Sequence, residues 1–141
     1  MTDFIYGTLE AIGFSHPLHP ALTHIPMGMV IGCFLFSLVA FLGKNTAYLK
    51  TALHCSIVAI IFIIPTVAAG ILDWMHFYGS TWSFFIILKF ILACVLTLLL
   101  ALSIRVNMSG GNSKQLLILY TLCLACAAGL GFSGGEIVYG G

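Results

Sequence analysis

Four long apolar stretches, each about the length needed for a helix to cross the hydrocarbon core, alternate with short polar ones along the chain. The first runs from Ile25 to Leu42 and opens on Pro26, which a first helical turn accepts because the missing N–H has no partner to lose. The second covers about 51–72, is uncharged throughout and carries Pro65, a kink site. The third covers about 82–104 with a single charge, Lys89, and the fourth about 115–135. Open strands cannot satisfy their backbone groups in lipid, and four segments cannot close a barrel, so each stretch predicts a helix. The connections are short, which makes neighbouring helices antiparallel. The expected fold is an all-α integral membrane protein, an antiparallel four-helix transmembrane bundle forming one domain over residues 1–141.

Composition fits a lipid solvent. Of 141 residues, 61% are hydrophobic and 6% charged, too few charges for the surface of a water-soluble domain. The net charge of +1 says nothing about nucleic acid, and no basic run exists to bind it. The N-terminal MTDFIYGTLE has no basic region and the first apolar run no small-residue cleavage site, so that run reads as a retained span and not as a signal peptide. Cys33, Cys55, Cys94, Cys123 and Cys126 all fall in apolar segments, where a thiol behaves as a small apolar side chain.

Charge then orients the bundle. Lys44 and Lys50 lie between the first two spans, and Arg105 and Lys114 between the last two. Asp3, Glu10, Asp73 and Glu136 all fall on the opposite side. Since Lys and Arg mark the cytoplasmic side, both termini are expected in the periplasm, with the chain in a bacterial inner membrane.

The chemistry gathers at the acidic end. His16, His19 and His24 precede or open the first span, and His76 follows the second, so four of the five histidines emerge on one side. Imidazole is costly in lipid and is the commonest ligand of metal and haem iron. Gly28 and Gly32 follow His24 at i+4 and i+8, giving either a smooth groove for a flat macrocycle or a close helix contact. Ala69, Asp73 and His76 share a helical face, so Asp73 either orients a ligating imidazole or caps a helix, and His76 is either a ligand or part of an aromatic belt with Trp74, Phe77, Tyr78 and Trp82. His16 and His19 each precede a proline, which predicts extended or turn backbone there. Lys89 lies about 10 Å below the end of its helix and either snorkels or pairs with Asp73, Glu136 or a haem propionate. His54 stands alone near the other end, about 33 Å from His76 along the helix. Cys123-Leu-Ala-Cys126 is not followed by histidine, so it is no c-type haem attachment motif.

Three ordered motifs carry a family resemblance: His19-Pro20 with His24-Ile25-Pro26-Met27-Gly28, then Ala69-Gly70-Ile71-Leu72-Asp73-Trp74, then Gly134-Gly135-Glu136-Ile137-Val138-Tyr139-Gly140-Gly141. With these the chain resembles, over nearly its whole length, the bacterial membrane family catalogued as domain of unknown function 2231. Relatives fused to c-type cytochrome or iron–sulfur modules imply membrane electron transfer. The chain stops where relatives often continue with a histidine and further glycines.

Together these readings predict a haem b protein passing electrons at the periplasmic face, an electron carrier or redox-complex subunit more than a stand-alone enzyme. His24 and His76 are the expected axial pair with His19 as alternate, Gly28 and Gly32 make room, and Asp73 and Lys89 tune charge. The expected partners are the bilayer, a periplasmic c-type cytochrome or membrane redox subunits, a quinone and a second copy of the chain. Two alternatives stay open: a divalent-metal site built on His24, His76 and His19 with Asp73 or Glu136, and a structural subunit without cofactor.

Overall fold

The computed structural model describes residues 2–139, with backbone only at residues 3, 138 and 139. Five helices follow in order: α1 (Thr2–Ala11), α2 (Leu18–Leu42), α3 (Ala47–Phe77), α4 (Phe84–Met108) and α5 (Ser113–Tyr139), with no strand among the described residues. The last four are long and apolar enough to cross a membrane. Helix α2 packs on α3 and α5, and α4 on α3 and α5, which closes an antiparallel four-helix ring. This is the expected all-helical membrane bundle.

Small side chains make up much of the interior, around a few large ones, Leu100, Leu116 and Tyr120. Cys33, Ser37, Ala40, Ala52, Ser56, Ala59, Ser103, Cys123 and Ser133 are buried, while large apolar residues such as Ile31, Leu35, Ile61, Ile64 and Leu98 face outward. Lipid is as apolar as leucine, so helices gain more from close approach than from hiding large side chains. The buried hydroxyls do not go unpaired. Those of Ser37, Ser56, Ser103 and Ser133 donate to carbonyls three or four residues back, and Ser56 also meets the Tyr120 hydroxyl at 3.1 Å. At the basic end, Asn107 donates to the Leu49 carbonyl at 2.9 Å and ties α4 to the start of α3. Asn112 and Gln115 cap α5 reciprocally: the Gln115 N–H donates to Asn112 Oδ1 at 2.9 Å, and the Asn112 N–H to Gln115 Oε1 at 3.4 Å.

Helix boundaries differ most at the acidic end. Helix α2 begins at Leu18, not at Ile25, and α3 continues past Leu72 to Phe77. His19 is therefore helical, against the extended backbone expected before a proline. The reason is positional: Pro20 sits in the first turn of α2, where no N–H is needed. Farther in, Pro26 cannot donate to the Leu22 carbonyl, and the Thr66 hydroxyl of α3 lies 3.4 Å from that oxygen. Helix α1 was not expected. It packs on α3 through Tyr6, which is 3% exposed.

Candidate functional site at the acidic end

The first turn of α2 presents N–H groups that need acceptors, and Pro17 at its N-cap brings no side-chain oxygen. The acceptor comes from α3. Asp73, 4% exposed, accepts from the Leu18 N–H at 3.0 Å and from the His19 N–H at 2.8 Å, one on each carboxylate oxygen. The Tyr6 hydroxyl of α1 donates to the same carboxylate. A buried negative charge is thus met by two amides, a phenol and the positive end of the α2 dipole. Asp73 is the cap of a neighbouring helix.

The His19 side chain then turns into the bundle. Its Nδ1 lies 2.9 Å from the Thr66 carbonyl oxygen, which can only accept, so Nδ1 carries the proton and Nε2 the lone pair. Gly70 makes this possible. A Cβ at that position would stand 2.8 Å from His19 Nδ1, so the α3 backbone comes as close to the ring as only glycine allows. Lys89 of α4 fills the other side of the ring, with Nζ 3.4 Å from His19 Nε2. A Cβ on Gly134 of α5 would lie 3.7 Å from the same Nζ, so the lysine tip reaches across to α5. Lys89 therefore turns inward, and its hydrogen-bond partner is His19, a pairing absent from the sequence reading.

The remaining histidines lie apart. The His76 ring stacks on Tyr6 with centroids 4.2 Å apart and planes 13° from parallel, and Phe77 packs edge-on against both rings. His24 is exposed on the outward face of α2, and Gly28 one turn below is exposed with nothing within 4 Å of an added Cβ. Gly32 faces elsewhere: a Cβ there would meet Cys55 Sγ at 3.2 Å, so it serves the close approach of α2 to α3. The groove expected along His24, Gly28 and Gly32 is open at Gly28 and closed at Gly32. His16, exposed, makes a T-shaped contact with Phe14 at 6.1 Å, and His54 is exposed near the basic end.

The helix register separates His24 from His76. Thr66 stands level with Leu22. His24 is two residues farther down α2 and His76 ten residues farther up α3, which puts them about 18 Å apart along the bundle axis. That is more than two imidazoles bridge. Among the described residues, no three His, Cys, Asp or Glu side chains are grouped as a metal ion would require. Gly140 and Gly141, which end the closing motif, lie outside the described residues, as do the side chains of Asp3, Val138 and Tyr139.

Outside the spans, burial raises the Tyr6 phenol well above its ordinary value, and the hydrogen bond and charge of Asp73 add to the shift. Tyr78 is pushed up by burial first and by Asp73 second. Tyr6 thus stays protonated, as a donor to Asp73 must. Beside them Trp74 donates to the Thr81 carbonyl at 2.8 Å and packs on Trp82 with centroids 4.6 Å apart.

The sequence reading missed Tyr6, Thr66, Gly70 and Gly134 as site residues. Gly70 was the legible one, because it lies at i−3 from Asp73 and so on the same face of α3.

No curated protein and no solved structure matches the chain. A family model described as a predicted membrane protein, DUF2231, matches residues 15–141, nearly the whole chain and all four spans but not α1. The chain belongs to the DUF2231 family of membrane proteins.

Proposed function

We propose that this protein holds a b-type haem at the periplasmic face of a bacterial inner membrane and passes electrons there, with His24 as an axial ligand. The observation that carries the reading is the exposed His24 imidazole with open space at Gly28 one turn below it. An exposed imidazole on a membrane span is costly in lipid, and an uncovered helix backbone beneath it suits a flat macrocycle. His19 is a poorer ligand, since Thr66 and Lys89 occupy both its nitrogens. His76 is too far along the axis to share an iron with His24 of the same chain. His24 of a second copy in a twofold dimer would supply the other imidazole that holds the haem. A bis-histidine iron has no open position and exchanges electrons without binding oxygen. Lys89, inside the bundle, contributes positive charge that favours the reduced state.

Basic loops at one end and Glu10, Asp73 and Glu136 at the other support the orientation, with both termini periplasmic. The donors and acceptors of this reading are a periplasmic c-type cytochrome and a quinone. A reduced-minus-oxidised optical spectrum of the purified protein tests it: a sharp b-type band supports it, and its absence from protein purified with haem supplied refutes it.

A second reading, a structural subunit, is favoured by one observation. Asp73 and His19, residues of the family-like motifs, spend polar groups on holding α2 to α3, and Gly70 allows the close approach.

A further inference from the structure

Two open clefts flank the Gly110–Gly111 turn at the basic end of the bundle. One, of about 360 Å3, is lined by Leu102, Arg105 and Ser109 together with Gln115. The other, of about 370 Å3, is lined by Thr46, Lys50, Leu53 and Asn107. Both include Gly110 and Gly111. We propose that the pair of clefts binds one cardiolipin, a lipid with two phosphodiesters, with one phosphate held at Arg105 and the other at Lys50.

The turn itself contributes shape and not donors. Gly110 has a φ of +78°, and a Cβ on Gly111 would stand 2.4 Å from Val106 Cγ1, so larger residues would be strained or displaced there. The N–H groups of Gly110 and Gly111 donate to the Asn107 and Val106 carbonyls, and the Asn107 amide is spent on Leu49. Charge for a ligand therefore comes from Lys50 and Arg105, both exposed, with the Thr46 and Ser109 hydroxyls beside them. Glu10, Asp73 and Glu136 are all at the other end, so no described acidic side chain competes for these cations. Guanidinium matches phosphate with two parallel hydrogen bonds, and ammonium adds a compact charge.

The apolar lining separates a lipid from a free phosphate. Lys50 lies in the first turn of α3 and Leu53 follows at i+3, one turn deeper in the bundle. Arg105 lies in the last turn of α4 and Leu102 precedes it at i−3, again one turn deeper. Each cleft thus stacks a cation at the headgroup level above a leucine at the level of the acyl chains. Basic pockets between spanning helices suit anionic headgroups for this reason. Two such clefts sharing one glycine turn offer a cation each to a lipid whose two phosphates are joined by a short glycerol.

Native mass spectrometry of the full chain in detergent, titrated separately with cardiolipin, phosphatidylglycerol, phosphatidylcholine and inorganic phosphate, tests the proposal. Cardiolipin should bind at least about fivefold more tightly than either single-phosphate lipid, and Arg105→Gln and Lys50→Gln should each weaken it about fivefold. Lys44→Gln, which alters a cation lining neither cleft, should leave the affinity unchanged. Circular dichroism of each variant confirms that the helices are intact. Equal binding of phosphatidylglycerol, equal weakening by Lys44→Gln, or displacement of cardiolipin by inorganic phosphate would each overturn it.

Discussion

The carboxylate of Asp73 caps the helix that carries His19, accepting the His19 N–H at 2.8 Å across the α2–α3 contact. The same histidine then returns a side-chain hydrogen bond to α3 at the Thr66 carbonyl. Helices α2 and α3 are thus locked in register at residues 54 positions apart by the main chain and side chain of His19. Asp73→Ala strands two first-turn amides and a phenol, and should lower stability by about 2 kcal/mol or more. Asp73→Asn keeps an acceptor oxygen and should cost less. Unfolding midpoints of both variants in one detergent check the order.

Gly70→Ala should destabilise the bundle by about 1–3 kcal/mol, because the new methyl enters the space of His19 Nδ1. In Gly70→Ala combined with His19→Ala the clash is gone, so the two losses should not add. A double-mutant cycle of unfolding free energies measures the coupling.

How far the sequence exposed this arrangement depended on which solvent reads each residue. Lipid demands uninterrupted apolar length, so the four spans were legible, and with them the antiparallel order. Ends were less so. The run from Leu18 to His24 is too polar to count as a span, yet it is helical because Asp73 supplies its cap from another helix. No local pattern announces a cap that lies fifty residues away. Lys89 showed its cost in lipid but not its direction, because a helix apolar all round does not reveal its inward face. Helix α1 is short and contains Gly7, and only Tyr6, seated against Asp73 and His76, explains where it packs.

Tyr6 gives the site a pH dependence. Its phenol ionises less readily folded than unfolded, so its contribution is complete below the ordinary value of 10.0 and falls as pH rises above it. Tyr6→Phe should lower stability at pH 8 through loss of the Asp73 hydrogen bond, and should flatten the decline at alkaline pH. Thermal melts between about pH 8 and pH 11 compare the two slopes.

His19 should appear by nitrogen-15 NMR as the neutral tautomer with its proton on Nδ1, as its bond to the Thr66 carbonyl requires. Lys89→Met removes the donor at Nε2 and should move the Nε2 resonance alone. A proton found on Nε2 in the parent protein would mean that the ring and Lys89 are arranged differently.

The proposed orientation puts Asn112 in the cytoplasm and Gly79 in the periplasm. In a background without native cysteines, a cysteine placed at 79 should react with an impermeant maleimide on intact cells, and one at 112 should not. The reverse pattern would move the histidine end to the cytoplasm and remove the periplasmic cytochrome from consideration.

The central claim is that His24, facing out of the bundle above an open Gly28, ligates haem between two copies of the chain. Haem content per chain in the parent protein, His24→Ala and His54→Ala, each read from the reduced optical spectrum of the purified protein, tests it most directly. The account predicts one b-type haem per two chains in the parent and in His54→Ala, and essentially none in His24→Ala. Haem retained in full by His24→Ala, or absent from the parent, would contradict it.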